Sequence, residues 1–184
     1  MVIIKNCYNV LRMFKDMSEF FAVVDENDRV IGKATRKECH LNRNLIHRSV
    51  YIFVVNSRNE VFLQKRSMSK DLYPGFFTAS ATGHVEYGED YDGAAKRELD
   101  EELGIDAPLL RLGKVNSFTE DEREISMLYV CHFDGRITVN RKEIAKGGFF
   151  SIDKIEKSLR KGEKKFADGF RIAFAEFLNY MKMH

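Results

Sequence analysis

The run from Gly83 to Ile105, GHVEYGEDYDGAAKRELDEELGI, constrains this chain more than any other part of it. Gly83 is followed by Glu89 and then by Arg97-Glu98-Leu99-Asp100-Glu101-Glu102-Leu103-Gly104-Ile105. Seven identities and two apolar positions stand at fixed spacing. At average usage of roughly 5–7% per residue type, chance gives that pattern about once in a billion starts. Composition did not produce it.

Local physics says what the run builds. Asp90 suits an N-cap, Ala94 to Leu99 is strong helix-forming sequence, and Gly104 falls where a left-handed C-terminal residue is wanted. The expected helix is Tyr91 to Leu103. Gly93 costs it about 1 kcal/mol relative to Ala, so something else must hold the first turn. At roughly 100° per residue, Ala95, Leu99 and Leu103 share one face and Glu98, Glu101 and Glu102 the neighbouring one. Carboxylates one turn apart repel by a few tenths of a kcal/mol, and a divalent cation reverses that sign. Hard oxygen ligands of this kind suit Mg²⁺, which completes its shell with water and substrate phosphates. A solvated acidic face is the bland alternative, but it leaves Gly83, Glu89, Arg97 and Gly104 unexplained.

The stretch resembles a complete Nudix box, the signature of enzymes that hydrolyse a diphosphate linked to another group. The resemblance implies that the Gly83 carbonyl, Glu98, Glu101 and Glu102 hold Mg²⁺ (or Mn²⁺). Glu89 would brace the loop or the metal shell, and Arg97 would orient the glutamates by ion pairing. The chemistry implied is in-line attack of water on phosphorus. Glu101, Glu102 and Glu143 are the candidates for the general base.

A second constellation comprises His40, His47, His84, Glu122 and Glu124. In an extended segment, the two glutamates at i and i+2 point to one face. Each histidine taken singly is more often an ordinary residue. The set, in its order along the chain, resembles isopentenyl-diphosphate isomerase, whose three His and two Glu bind a second divalent metal such as Zn²⁺ or Mn²⁺. That similarity spans roughly residues 18 to 155. Two departures count against an isomerase. Thr82 stands where the isomerase has its catalytic Cys, and its catalytic Tyr has no counterpart, Phe118 being the nearest aromatic. A threonine hydroxyl is a poor stand-in for a thiol in proton transfer to an alkene. The box is also intact. The resemblance therefore implies an isomerase-like hydrolase, with the isomerase as alternative and a non-catalytic binding module behind both, since no metal glutamate is lost.

A chain of 184 residues can bury a core without disulfides. Its three cysteines, Cys7, Cys39 and Cys131, lack disulfide or metal spacing, which suggests a reducing cytoplasm. The net charge of +2 is too small to imply nucleic acid, and the basic run Arg160 to Lys165 reads as a solvated turn. No segment has the ~18–20 apolar residues that span a membrane. Residues 1–17 precede the resemblance and are expected to be an extension, disordered or reached from a start placed too early, with Met13 and Met17 as alternative starts. Residues 18–184 are expected to form one domain.

Apolar periodicity supplies the remaining elements. Phe20–Val24 and Val30–Thr35 read as a hairpin, Val50–Val55 and Val61–Lys65 as another, with the histidines in a loop before the second. Leu109–Phe118 and Ile125–Phe133 are further strands, Gly147–Phe150 ends the last one, and Ile152 opens a short helix. Phe170, Phe174, Phe177, Leu178 and Met181 form a helical stripe, for core packing or a homodimer contact. The sum is an α/β (α+β) fold, a mixed sheet sandwiched between helices. For the substrate, a small-molecule diphosphate, the candidate reading residues are Lys65 and Arg66 at a strand end and Lys70 in the loop beyond. Phe76 and Phe77 fit a buried strand better than a base-stacking site. Nucleoside di- or triphosphates are the first expectation.

Overall fold

The computed structural model describes residues 19–183. The expected extension at residues 1–17, the alternative starts Met13 and Met17, and Cys7 lie outside them. Nine strands form one hydrogen-bonded sheet: β1 Phe20–Val24, β2 Val30–Thr35, β3 Ile46–Val55, β4 Glu60–Arg66, β5 Phe77–Thr78, β6 Ala81–His84, β7 Leu110–Phe118, β8 Arg123–His132 and β9 Ile144–Ser151. Among the described residues four helices accompany them: α1 Arg36–Leu41, α2 Tyr91–Leu103, α3 Ile152–Lys161 and α4 Asp168–Met183.

The two hairpins close on left-handed residues of the right type, Asp28 at φ 62° and Asn59 at φ 55°. Asp25 Oδ1 accepts the backbone N–H groups of Asn27 and Arg29, both at 2.9 Å, which fixes the first turn. Strand β3 organises the sheet. It runs parallel to β8 from His47↔Glu124 to Val55↔His132, and antiparallel to β6 from Ser49↔His84 to Ile52↔Ala81. One parallel pairing among antiparallel ones makes the sheet mixed.

Alternation along β3 divides the core into two layers. Val50, Ile52 and Val54 pack with Ala94, Ala95, Leu99 and Leu103 of α2. Tyr51, Phe53 and Val55 pack with Phe166, Phe170, Phe174 and Phe177 on and before α4. The apolar stripe of α4 is thus core, led by Phe177 stacked on Phe53 at 4.4 Å between ring centroids. Helix α2 has the expected bounds. Asp90 caps it by accepting Gly93 N–H at 2.7 Å, and Gly104 ends it in the left-handed region at φ 63°. The cap bond to Gly93 is what holds the first turn.

Three expectations are corrected. His40 and His47 do not share a loop. His40 lies on α1, and β3 begins four residues earlier than expected, at Ile46, so that His47 is a strand residue. Helix α1 is nucleated by a reciprocal capping box, in which Thr35 accepts from Glu38 N and Glu38 accepts from Thr35 N. Phe77 belongs to a strand of only two residues, and neither Phe76 nor Phe77 is fully buried. Among the described residues no helix is long and apolar enough to cross a membrane, and Cys39 and Cys131 are buried and free.

Candidate active site

A cleft of about 1020 Å³ opens where β6, the glutamate face of α2 and the loop after β4 meet. Gly83, Glu98, Glu101 and Glu102 line it, with Arg66, Lys70 and Glu143 across from them and His84, Glu122 and Glu124 at one end. Members of both groups singled out in the sequence therefore line one cavity, whereas His40 and His47 are not among its lining residues.

Arg97 ties the box together. Its Nε and Nη2 donate to the two oxygens of Glu89 at 3.0 and 2.9 Å, and Nη2 also donates to the His84 carbonyl at 3.0 Å. Its Nη1 donates to Glu98 Oε1 at 2.6 Å and lies 3.7 Å from Glu101 Oε2. One guanidinium thus joins the loop before α2, the glutamate face and strand β6. Glu89 uses both oxygens on Arg97, accepts Glu86 N–H at 3.1 Å, and is not among the cleft-lining residues. Glu101 is solvent-exposed.

Glu98 and Glu102 lie in an environment that opposes their charge. Burial, then the neighbouring Glu102 carboxylate, push Glu98 up to about 8 against the pull of Arg97. Burial pushes Glu102 up to about 7, against Lys70, the Thr82 N–H and Gln64. Glu98 also rests on bare backbone. A Cβ added to Gly83 would sit 2.5 Å from Glu98 Cγ and closer still to its carboxyl group. A buried and a part-buried carboxylate that repel each other beside a glycine backbone form a hard-oxygen donor set short of positive charge, which a divalent cation fits.

At the other end, α1 contributes His40, β3 His47, β6 His84 and β8 Glu124. The three histidines each offer a ring nitrogen within 4.8 Å of the others. His40 Nε2 and His84 Nε2 are 3.5 Å apart, and Glu124 Oε1 lies 3.1 Å from His84 Nε2 and 3.3 Å from His47 Nε2. The His47 contact is an ion-pair contact that does not meet hydrogen-bond geometry, so both of its buried ring nitrogens are without a hydrogen bond. Phe21 stacks on His84 and His47 at 4.3 and 5.5 Å, fixing both ring planes. Burial alone would raise Glu124, but His47 and His84 outweigh it and hold its pKa well below the carboxylate range. Burial holds His84 well below the usual imidazole value.

Arg36 can only donate, so its contact with His84 Nδ1 at 3.2 Å puts the His84 proton on Nε2, facing Glu124. A metal at Nε2 would replace that proton. Orphaned imidazole nitrogens facing a carboxylate suit Zn²⁺ or Mn²⁺. Glu122 lines the same end of the cleft without bonding to this group. No hydrogen bond or ion pair among the described residues joins it to the histidines, its Oε2 is buried without a partner, and burial followed by Glu124 pushes it up to about 8.

The cation expectations divide. Arg66 lines the cleft and donates from Nε to the Leu72 carbonyl at 3.0 Å, whereas Lys65, on the opposite face of β4, does not line it. Lys70 is ion-paired with Glu143 on the same side of the cleft. Sequence reasoning missed four residues. Gln64 holds Glu102, Asp71 pairs with Arg36 and lies 3.7 Å from His40 Nδ1, and Tyr51 and Tyr73 line the cleft. The alternation of β4 could have pointed to Gln64, and Thr35-x-x-Glu38 to helix α1. Asp71 left no local signal. Phe118 is exposed and carries Arg123 over its ring at 4.6 Å.

Comparison with known proteins places these features in context. The family model for the NUDIX domain matches residues 45–170. An isopentenyl-diphosphate Delta-isomerase 1 of Photorhabdus laumondii is 31% identical over 167 residues, covering 87% of this chain and 95% of that protein. An uncharacterized Nudix hydrolase of Pseudomonas aeruginosa is 37% identical over 133 residues, covering 72% of this chain and 78% of that one. A crystal structure from Deinococcus radiodurans superposes with a TM-score of 0.76 at 26% identity, over 85% of this chain and 98% of that chain.

Proposed function

Because the chain belongs to the NUDIX domain family, we propose that it is a metal-dependent hydrolase of a small-molecule diphosphate, acting by attack of water on phosphorus. The observation that carries this reading is the pair Glu98 and Glu102, part-buried and buried side by side in the cleft, whose carboxyls are pushed up by burial despite Arg97 and Lys70. Such a pair is stable when ionised only with a cation between or beside it. Gly83, Glu98, Glu101 and Glu102 are the residues that would hold Mg²⁺ or Mn²⁺. When bound, the ion lowers the pKa of its water and neutralises charge on the leaving diphosphate.

The chain's own residues then have separate tasks. Arg97 keeps Glu98 aimed into the cleft and, through Glu89, keeps the preceding loop against the helix. Arg66 and Lys70 face the glutamates and are placed to take up non-bridging phosphate oxygens. Lys70 also holds Glu143, which lines the same cleft and is one candidate for the general base. Glu101, exposed at the rim, is the other candidate for that task. We place a second divalent metal, Zn²⁺ or Mn²⁺, on His40, His47, His84 and Glu124, with Glu122 beside it. The substrate class favoured is nucleoside di- or triphosphates, and the setting the cytoplasm.

The test is a panel of nucleoside di- and triphosphates, dinucleotide cofactors, nucleotide sugars and isopentenyl diphosphate, incubated with Mg²⁺ and read by mass spectrometry beside Glu102→Gln. Cleavage of one class that disappears in the variant supports hydrolysis and names the substrate. Rearrangement of isopentenyl diphosphate without release of phosphate would replace this reading with isomerisation.

A further inference from the structure

The Glu102 carboxylate is held from behind. Its Oε2 accepts two N–H groups, from Gln64 Nε2 at 2.7 Å and from the Thr82 backbone at 3.1 Å. Its Oε1 has no hydrogen-bond partner among the described residues, while Glu102 itself lines the cleft. Gln64 is 1% exposed, and the same nitrogen also donates to the Ser80 carbonyl at 3.2 Å. Both of its partners are acceptors, so the atom between them must be the amide nitrogen, and both of its hydrogens are engaged. An uncharged primary amide is well suited to this position. A glutamate there would set one carboxylate against another, and an aliphatic side chain would leave a buried carbonyl and a buried carboxylate oxygen each one donor short.

We infer that Gln64 is a positioning residue for the divalent cation, fixing which oxygen Glu102 offers to the cleft and in which direction. The inference rests on Glu102 being a metal ligand, as proposed above. Partners that orient a ligand from behind typically change metal affinity by roughly 10–100-fold when removed. A merely structural bridge between β4 and α2 would lower the melting temperature and leave the affinity of the folded protein unchanged.

The experiment is a Mn²⁺ titration, followed by electron paramagnetic resonance of the free ion, on the wild-type chain, Glu102→Gln and Gln64→Met. Thermal midpoints are recorded alongside, and the affinity compared is that of the site Glu102→Gln abolishes. Methionine keeps the length and volume of glutamine without its donors. The expected result is a folded Gln64→Met protein that binds Mn²⁺ roughly 10–100-fold more weakly. Unchanged affinity in folded Gln64→Met, with binding lost in Glu102→Gln, would overturn the role of Gln64 alone. Unchanged binding in Glu102→Gln would overturn the metal reading beneath it as well. Should Gln64→Met fail to fold, Gln64→Asn keeps an amide one methylene short of the carboxylate and is judged by the same two results.

Discussion

Gly83→Ala tests the box through its backbone rather than through a glutamate. Gly83 is not among the glycines with positive φ, so alanine meets no conformational penalty in β6. The added methyl meets Glu98 instead, 2.5 Å from Cγ where ordinary contact begins at 3.4 Å. Cγ must therefore retreat by about 0.9 Å, and the carboxyl group by more. Retreat breaks the 2.6 Å bond to Arg97, a charge-assisted contact worth about 1.5–3 kcal/mol. At roughly 2–4 °C per kcal/mol for a chain of this size, the melting temperature should fall by about 3–12 °C. Function should suffer more than stability, because an error of about 1 Å in a reacting constellation can cost roughly 100-fold in rate. The assays are differential scanning calorimetry, Mn²⁺ titration and turnover on whichever substrate the panel identifies. A folded Gly83→Ala protein with wild-type Mn²⁺ affinity and turnover would refute the idea that Glu98 acts from its seat on Gly83.

Metal and pH should be linked through Glu98 and Glu102. Their folded-state pKa values, about 8 and about 7, lie above the ordinary carboxylate value, so their stabilising contribution is fully present below about pH 4.5 and is lost as pH rises through those values. A cation that binds the ionised pair displaces these protons, so saturating Mg²⁺ should raise the melting temperature more at pH 8.5 than at pH 6, and equal shifts in a thermal scan would contradict it. In the core, Phe177→Ala removes a fully buried ring stacked on Phe53 and should cost about 3–5 kcal/mol in urea unfolding, with turnover of the remaining folded fraction unchanged.

What could be read from the sequence was local. Helix α2 was legible from cap to cap because Asp90, the alanine-rich turn and Gly104 each act within a few residues. The α4 stripe was legible because its period matches the helix, and the two hairpins because Asp28 and Asn59 mark their turns. What no local signal carries is whatever depends on register between distant segments. His40, His47 and His84 converge because α1 folds back on β1 and β2, and because β3 pairs with β6 at Ser49↔His84. Their spacing along the chain carries none of that information. Lys65 and Arg66 looked equivalent at a strand end, yet the alternation of β4 separates them once Gln64 is known to face Glu102. Glu122 precedes β8 and Glu124 lies within it, and both line the cleft.

Thr82→Cys decides between the two activities the family relationship leaves open. Thr82 lines the cleft beside Gly83, at the position where the isomerase resemblance expects a catalytic thiol. Its structural contribution to the site is a backbone N–H to Glu102, which the substitution preserves. Hydrolysis should therefore stay within a few-fold of wild type. Isomerisation needs more than the thiol, because the alkene must gain a proton at one carbon and lose one from another. The hydroxyls available for the partner role belong to Tyr51 and Tyr73. Burial raises both pKa values, holding the hydroxyls neutral, and the Tyr51 hydroxyl lies near Gly169. Thr82→Cys is thus expected to leave isopentenyl diphosphate unrearranged in a deuterium-exchange assay by mass spectrometry. Exchange of solvent deuterium into the five-carbon diphosphates would show that only the thiol was missing. The cleft would then be one built for a prenyl chain, with Tyr51 or Tyr73 as its second proton carrier.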